Sequence, residues 1–392
     1  MRTLFLFLFA IVGMVAVGQC DPCERNLAIA APSELPFAKP TVDERVELLA
    51  IVFRLAGAKE FACKRFTKYD DAINAHFAEF KDHEVIQSAK ELNKGTGLWE
   101  INISNDRVPA FAVACKITDG RVILTEENAI ALEKHYRDLG WPCWPQAASL
   151  KFAQLLDDFY VKSRFHEFFV SQKDLYDRFE ERFFDLCRFF NIGWFDTFYG
   201  TSPGERFQVY LLVTGEDGGY GTMLPRNDGT KDYCAIVGVH PTYVNDDGEP
   251  LYTENSVLVF MLTYNLLAFA DPLVEKHYPL FKKASERLFP HTVERMQQNV
   301  GDVLTPKRVL QYYLTYAALA EYSKAHGGDP LSGMKKSGFV WFDKMREAVK
   351  RYTNDRDTYP TFDAFMPHLA EVQNAVVTDE FLRNLRRAKA KQ

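Results

Sequence analysis

The most continuous apolar pattern of this chain lies between Thr253 and Pro272. Its apolar positions leave almost no polar face at helical spacing: residues 258–260, Leu262, Leu266, Leu267 and Phe269. This pattern predicts a central helix that is buried on nearly all sides. Thr253 and Asn255 are suited to cap its start. Asp271-Pro272 predicts its end, because proline disfavours the helical conformation of the residue before it.

The patterns on either side predict a predominantly helical α+β chain. Residues 42–198 carry apolar residues at helical spacing, and residues 206–213 and 233–239 have the pattern of strands. The turn sequence Asn227-Asp228-Gly229 lies between those strands, and the chain is again helical after Pro250. We expect a helical N-terminal lobe at 41–204 and, at 205–392, a C-terminal lobe with a small antiparallel sheet and the buried helix. Together they would form one compact unit.

The first residues have the pattern of an export signal. Arg2 precedes an apolar stretch from Leu4 to Val17, and a small-residue cleavage site ends at Gly18. This pattern predicts a signal peptide at 1–18, an extended leader at 19–40 and an exported protein. The apolar stretch is too short for a transmembrane span. Cys20 follows it directly, which leaves attachment of a lipid open.

The composition of the chain favours some classes of partner and binding site over others. The 392 residues are 47% hydrophobic and carry a net charge of -6, which favours a large core and argues against a nucleic-acid partner. An exported chain with 7 cysteines has material for disulfide bonds, but Cys20 and Cys23 lack the second pair of ligands of a zinc site. The 32 Phe residues recur mostly at helical spacing, which favours core packing over carbohydrate binding.

Several segments resemble a family of secreted bacterial zinc metallopeptidases that is catalogued as a domain of unknown function. In that family the central helix reads HEFxHSF-x-NPL, and Asp271-Pro272-Leu273 matches its end. The other matching segments are VDERVELLAIVFRLAG (42–57), FYVKSRFHEFF (159–169), WFDTFYG (194–200), GGYG (218–221), GFVW (338–341) and YPTFDAFMP (359–367). The resemblance therefore covers roughly the whole chain after the predicted signal peptide.

The zinc-binding residues of the family are replaced in this chain. The alignment puts Thr263 and Leu267 at two histidines that would bind one zinc, and Tyr264 at the glutamate that would polarise a bound water. A threonine hydroxyl ionises far above neutral pH, and leucine has no donor atom. The family's third ligand is a glutamate in a Glu-Ser-Leu-Val-Arg-Ala run, whose best match puts Tyr312 at the glutamate and Tyr316 at the arginine. The resemblance thus implies a degenerate site without catalytic residues, metal or cofactor.

The resemblance also implies a zincin-like C-terminal lobe, in which an edge strand beside the cleft pairs with an extended peptide. Gly218, Gly219, Tyr220 and Gly221 would form or lead into that strand. A flexible glycine-rich hairpin loop is the alternative for this segment.

Other candidate chemistry lacks the geometry that it needs. His83-Glu84 and His166-Glu167 have no second histidine four residues on. Residues 200–204 match the G-x-S-x-G pattern of serine hydrolases, but Ser202 is followed by Pro203, which has no N–H for an oxyanion hole.

We therefore predict an exported, non-catalytic metallopeptidase-like protein, a pseudoenzyme, that binds a peptide, a protein or a cell-envelope ligand in the remodelled cleft. The alternatives are an active zinc-dependent metallopeptidase with ligands at other positions and a structural envelope protein. The sequence carries no sign of the oligomeric state.

Overall fold

The structure, a computed structural model, describes ten stretches of the chain. They are residues 35–62, 66–94, 107–138, 144–202, 207–215, 219–225, 231–239, 243–300, 304–327 and 334–389. The predicted signal peptide and Cys20 lie outside these residues, so export and lipid attachment stay predictions.

Two compact units are interleaved along the chain. The N-terminal unit comprises Phe37–Phe190 and Gly204–Thr263, and the C-terminal unit comprises Asn191–Pro203 and Tyr264–Gln392. Each unit is a group of residues that contact mainly other residues of the same group. The sequential division into lobes at residue 204 stays a prediction.

The helices of the N-terminal unit follow the predicted helical pattern. They are α1 (Glu44–Leu55), α2 (Thr67–His76), α3 (Glu84–Lys94), α4 (Arg107–Ala114), α5 (Glu126–Asp138), α6 (Gln146–Lys162), α7 (Phe165–Ser171) and α8 (Lys173–Arg188), with 3-10 turns at Lys59–Phe61 and Ala78–Phe80. The side chain of Asp43 caps α1 by accepting hydrogen bonds from the N–H groups of Arg45 and Val46. Aromatic pairs such as Phe53–Phe152 and Phe111–Trp144 fill the space between helices.

The same unit contains a two-stranded hairpin and a four-stranded sheet. The hairpin joins β2 (Lys116–Thr118) to β3 (Arg121–Ile123), and the larger sheet has the order β1 (Thr41–Val42), β4 (Phe207–Leu212), β6 (Lys231–Gly238), β5 (Gly219–Pro225). β4 pairs in parallel with β1 and β6, whereas β5 pairs antiparallel with β6. The predominantly helical α+β class is confirmed, but the larger sheet is mixed where an antiparallel one was expected.

The additional strand β5 explains the mixed sheet. The sequence pattern showed strands only at the positions of β4 and β6, because Gly219, Gly221 and Pro225 are residues that strands disfavour. β5 lies between β4 and β6 in sequence but at the end of the sheet in space. Its hairpin with β6 reverses the chain once more, so β4 and β6 run in the same direction.

A carboxyl group is enclosed within the N-terminal unit. Glu47 of α1 is 0% exposed and accepts hydrogen bonds from the N–H of Val213 at 2.6 Å and from the hydroxyl of Tyr69 at 3.1 Å. The hydroxyl oxygens of Tyr69 and Tyr176 lie 2.6 Å apart. Burial raises the pKa of Glu47 to about 7, although these hydrogen bonds oppose the shift.

The central apolar helix is longer than predicted. α10 (Glu254–Asn265) continues through a π-helical turn at Leu266–Ala270 into α11 (Asp271–Val300), so the expected end at Asp271-Pro272 is wrong. In the π turn, the N–H of Asp271 donates to the carbonyl of Leu266, five residues earlier. This shift in the hydrogen-bond pattern lets the helix accept Pro272, which has no N–H to donate.

By length and composition alone, the run Ser256–Gln297 is the one helical run in the described part of the chain that could cross a membrane. Of its most apolar window, 72% is buried inside the protein. The core helix of a globular protein passes the same test, and burial is what the sequence predicted for this segment.

The C-terminal unit is helical throughout its described residues. Besides α11 it contains α9 (Trp194–Tyr199), α12 (Pro306–Ala325), α13 (Phe342–Asn354), α14 (Phe362–Val376), α15 (Asp379–Lys389) and a 3-10 turn at Met334–Ser337. Thr305 and Thr361 cap α12 and α14 with their side-chain oxygens. α11 packs against α12 and α14, which places it at the centre of this unit.

Three cysteines fall within the described residues. Cys115, Cys187 and Cys234 are buried free thiols. Burial raises the pKa of Cys115 and of Cys234 to about 12, so neither is a reactive thiolate at neutral pH. The other four cysteines lie outside the described residues.

Candidate functional site

Tyr264 occupies the position that the resemblance assigns to a catalytic glutamate. It is 0% exposed, and its hydroxyl donates a hydrogen bond to Oδ1 of Asp196 at 3.2 Å. Its ring packs edge-on against Phe195 and Phe269. Burial and the adjacent Asp196 carboxylate raise the pKa of Tyr264 well above its usual value. The phenol therefore stays protonated, whereas a catalytic base at this position must accept a proton.

Asp196 is the residue that the sequence analysis did not single out. It lies on α9 within the segment WFDTFYG and is half buried. Burial raises its pKa, although hydrogen bonds donated by the Ser202 and Tyr264 hydroxyls oppose the shift. A lone carboxylate in an aromatic run is a detectable signal, because a carboxylate among buried rings requires hydrogen-bond donors.

The two positions that the resemblance assigns to zinc-binding histidines are occupied by Thr263 and Leu267. Thr263, in the N-terminal unit, is half buried, and its hydroxyl donates to the carbonyl of Val259 at 3.1 Å within the same helix. Leu267 lies in the π turn and is 6% exposed. The Thr263 side chain therefore hydrogen-bonds within its own helix, and the Leu267 side chain packs in the interior.

Asn265 joins the central helix to two other helices of the C-terminal unit. The hydroxyl of Tyr199 on α9 donates to Oδ1 of Asn265 at 2.7 Å, and Nδ2 of Asn265 donates to the carbonyl of Thr315 on α12 at 3.3 Å. Asn265 is 0% exposed, so its amide is fully enclosed. The segments that would carry the first two ligands and the third ligand are thereby in direct contact.

Tyr312 and Tyr316 lie one turn apart on α12 and stack, with ring centroids 6.4 Å apart. Tyr316 is buried, which raises its pKa to about 12. Tyr312 is half buried, and the Arg308 guanidinium lies 5.1 Å from its ring centroid. Arg308 also forms an ion pair with Asp271 at 3.4 Å. An aromatic and ionic cluster thus occupies the position that the resemblance assigns to the third ligand.

The segments WFDTFYG and YPTFDAFMP pack against each other within the C-terminal unit. Phe198 contacts Phe362, and the carbonyl of Phe198 accepts hydrogen bonds from Tyr352 and Arg356. Gly200 has φ +69°, and a Cβ there would lie 2.5 Å from the carbonyl oxygen of Pro360. Only glycine fits this contact, which gives these two segments a structural reason for their residues.

The segment GFVW also packs on α12. Gly338 has φ +98°, and a Cβ there would lie 2.8 Å from Cγ of Met296. Phe339 packs edge-on against Tyr313 and Tyr316, and the N–H of Trp341 donates to the Tyr313 hydroxyl at 3.4 Å. The segment therefore covers the helix face that carries Tyr316.

The candidate edge strand lies in the N-terminal unit. Gly219, Tyr220 and Gly221 belong to β5, the end strand of the four-stranded sheet, and Gly218 lies outside the described residues. Tyr220 is in register with Ile236 of β6. α4 and α5 contact β5. Peptide binding at this strand stays a prediction.

The histidines of the remaining His-Glu candidates are hydrogen-bonded to carboxylates of other segments. Nε2 of His83 lies 3.0 Å from Oδ2 of Asp158, and Nδ1 of His166 lies 3.0 Å from Oε1 of Glu44. Within the stretches that the structure describes, no three His, Cys, Asp or Glu side chains come together in a way that could hold a metal ion.

No curated protein and no solved structure matches the chain. A family profile described as "Domain of unknown function (DUF4932)" matches residues 40–372. This match covers most of the chain, including every described segment that the resemblance cited. The chain is a member of the DUF4932 family.

Proposed function

We propose that this protein is a non-catalytic, zincin-like relative of zinc metallopeptidases that binds an extended peptide or protein segment. The observation that carries the proposal is the hydrogen bond between Tyr264 and Asp196. A fully buried phenol stands at the position that the resemblance assigns to the catalytic glutamate, and its hydroxyl donates a hydrogen bond to a neighbouring carboxylate. A general base needs an unprotonated atom that faces a water or a substrate. The Tyr264 phenol is protonated and fully buried.

The side chains around Tyr264 support the loss of zinc chemistry. Zinc peptidases bind the metal with three protein ligands that carry nitrogen, oxygen or sulfur donors. Leu267 offers only hydrocarbon, and the Thr263 hydroxyl is already bonded to Val259. The Tyr316 phenol, whose pKa is about 12, is neutral at physiological pH and is a weak ligand.

The sheet supports a peptide as the ligand. β5 is the end strand of the sheet, and the edge that faces away from β6 forms no ladder with another described strand. An extended peptide can pair its backbone with such an edge, while alternate side chains supply specificity. The ligand would be a peptide, a protein segment or an envelope component with an extended polypeptide part.

A metal assay tests the non-catalytic half. The purified protein is saturated with zinc, dialysed and analysed by inductively coupled plasma mass spectrometry, and its peptidase activity is measured with a fluorogenic peptide library. We expect well below one zinc per chain and no chelator-sensitive cleavage. Stoichiometric zinc together with cleavage that a chelator abolishes would instead establish the active metallopeptidase.

A peptide array tests the binding half. Peptides that bind the purified protein are resynthesised with N-methyl groups at successive backbone positions, which removes one N–H at a time. Pairing with a strand edge predicts loss of binding at every second position only, because alternate N–H groups point toward the edge. Uniform sensitivity along the peptide, or none, would contradict binding by strand addition.

Export belongs to the same proposal. Its support is the charged start at Arg2, the apolar stretch and the cleavage site that ends at Gly18. Mass spectrometry of the mature N-terminus in the native host checks this part. An intact Met1 in the cell interior would contradict it.

A further inference from the structure

A basic pocket lies in the N-terminal unit, and none of its lining residues carries the proposed function. Its volume is about 420 Å³. The lining comes from the end of α1, the 3-10 turn that follows it, α2, the loop before α3, and α3 itself: Arg54, Leu55, Gly57, Ala58, Lys59, Ala62, Asn74, Lys81, Asp82 and Lys90. The volume is within the range of pockets that take small molecules.

The charge of this pocket is opposite in sign to that of the whole chain. The chain carries a net charge of -6, yet four cationic side chains and one carboxylate, Asp82, line the pocket. Four like charges that line one concavity repel one another, so an anion bound there would relieve an unfavourable interaction.

The lysine ammonium groups are available for a ligand. Among the described residues, no carboxylate pairs with Lys59, Lys81 or Lys90, and Lys90 makes only a long contact of 3.5 Å to Oε1 of Gln87. By contrast, Lys162 and Lys173 on the same unit each pair with an aspartate one turn away. The pocket lysines therefore differ from those that take part in helix-surface ion pairs.

Arg54 adds a fourth cation to the lining of the pocket. Its side chain is 12% exposed, and Nη1 pairs with Oδ1 of Asp70 at 3.1 Å. Its Nε is buried and has no hydrogen-bond partner in the described structure. Arg54 therefore contributes positive charge to the pocket, and the enclosed Nε is not itself a contact for a ligand.

The last carbonyl groups of α1 could repel an anion through their negative partial charge, but hydrogen bonds satisfy two of them. Gly57, with φ +89°, turns the chain so that its N–H donates to the carbonyl of Arg54 at 2.9 Å, and the N–H of Ala58 donates to Phe53 at 3.0 Å. These bonds satisfy carbonyls that would otherwise present negative partial charge.

We infer that this pocket binds a small, soluble polyanion of the organic phosphate class, held by Lys59, Lys81 and Lys90 and favoured by the charge of Arg54. Phosphate oxygens pair with the compact positive charge of a lysine ammonium group and accept hydrogen bonds from guanidinium N–H groups. Asn74, also in the lining, offers an amide for a polar part of the ligand.

Isothermal titration calorimetry with inorganic pyrophosphate tests the inference on the full chain. We expect saturable binding of one pyrophosphate per chain that weakens as the salt concentration rises. The triple variant Lys59→Gln/Lys81→Gln/Lys90→Gln should bind at least about tenfold more weakly, because three charge-assisted contacts are lost. The matched control Lys151→Gln, an exposed lysine of the same unit outside the pocket, should bind as the wild type does.

Two further measurements separate the inference from its alternatives. Asp82→Asn removes the carboxylate of the lining and should strengthen binding by about two- to fivefold, a gain that misfolding does not mimic. Vesicles of phosphatidylcholine with phosphatidylglycerol test a lipid headgroup as the source of the anion. Absence of saturable pyrophosphate binding, equal weakening by Lys151→Gln, or binding to these vesicles that pyrophosphate does not displace would each overturn the inference.

Discussion

The phenolic oxygen of Tyr264 lies 3.2 Å from Oδ1 of Asp196, and this hydrogen bond ties the central helix to α9 inside the C-terminal unit. The two residues are 68 positions apart in sequence. Tyr264 stands where the resemblance assigns a catalytic base, and Asp196 lies in a segment that otherwise supplies rings. The hydrogen bond and the surrounding rings give Tyr264 a structural role at this position.

Removal of the Tyr264 hydroxyl should destabilise the protein. Tyr264→Phe keeps the ring contacts but leaves the half-buried Asp196 with one donor fewer, at a cost of about 1–3 kcal/mol in the free energy of unfolding. Urea denaturation measures this change. Tyr243→Phe is the control, because Tyr243 is 58% exposed, and it should change stability by less than about 0.5 kcal/mol. Equal stability of the two variants would contradict the role of the hydrogen bond.

A carboxylate at Leu267 should be poorly tolerated. Leu267→Asp places an unpaired charge at a side chain that is 6% exposed, and we expect a loss of more than about 3 kcal/mol. Leu280→Asp makes the same change on α11 at a position that is 48% exposed, and it should cost little. Melting temperatures of both variants provide the comparison. An unchanged melting temperature for Leu267→Asp would mean that the position is solvated.

Alanine substitutions at Gly200 and Gly57 distinguish the cost of backbone strain from the cost of a steric clash. Both have positive φ, but a Cβ at Gly200 meets the Pro360 carbonyl oxygen at 2.5 Å, whereas a Cβ at Gly57 meets nothing within 4 Å. Gly57→Ala should cost about 1–2 kcal/mol from the left-handed conformation alone. Gly200→Ala should cost clearly more in the same chemical denaturation experiment. A cost at Gly200 no larger than that at Gly57 would show that the two family segments are not tightly packed.

Glu47 predicts a pH dependence of stability. Its pKa in the folded protein is about 7, above its usual value of 4.5, so the fold favours the protonated carboxyl group. The stabilisation is complete below about pH 4.5 and is lost as the pH rises through about 7, on the order of 3 kcal/mol in all. Glu47→Gln mimics the protonated group and lacks this dependence.

The test compares the unfolding free energies of the wild type and Glu47→Gln between pH 4 and pH 8. Their difference should shift in favour of the variant as the pH rises, since all other titrating groups are common to both proteins. Parallel curves would show that Glu47 has an ordinary pKa in the folded protein.

Introducing the ligands that the resemblance assigns to these positions should create zinc binding without creating peptidase activity. The variant combines Thr263→His, Tyr264→Glu, Leu267→His and Tyr312→Glu. Because these polar groups replace packed side chains, we expect the variant to be destabilised without metal and to melt at a higher temperature with zinc. Peptidase activity should stay low, because the hydrogen-bonded residues that orient metal ligands are missing.

Zinc titration by calorimetry decides this prediction. The matched control is the same variant with Tyr312 retained, which should bind zinc more weakly for want of a third ligand. If the quadruple variant folds but takes up no zinc, the alignment of Tyr312 with the third ligand is wrong.

The central helix illustrates both the reach and the limit of sequence patterns. Its burial was predicted from consecutive apolar residues, because a helix without a polar face has no stable place at the surface. Its end was predicted wrongly at Asp271-Pro272, because the π turn that accommodates Pro272 leaves no mark in the periodicity. The periodicity also gave no sign of β5, because Gly219, Gly221 and Pro225 disfavour strands and are held in place by pairing with β6; only the resemblance suggested an edge strand at this segment.

The sequence by itself determined the predominantly helical α+β class and membership of the DUF4932 family. It could do so because hydrophobic periodicity and characteristic segments are local properties of the chain. Tertiary structure alone decided that Tyr264 meets Asp196, that Asn265 joins Tyr199 to Thr315, and that Gly200 lies against Pro360. These partners are distant in sequence, and only the packing of the helices brings a buried polar atom to the donor or acceptor that it requires.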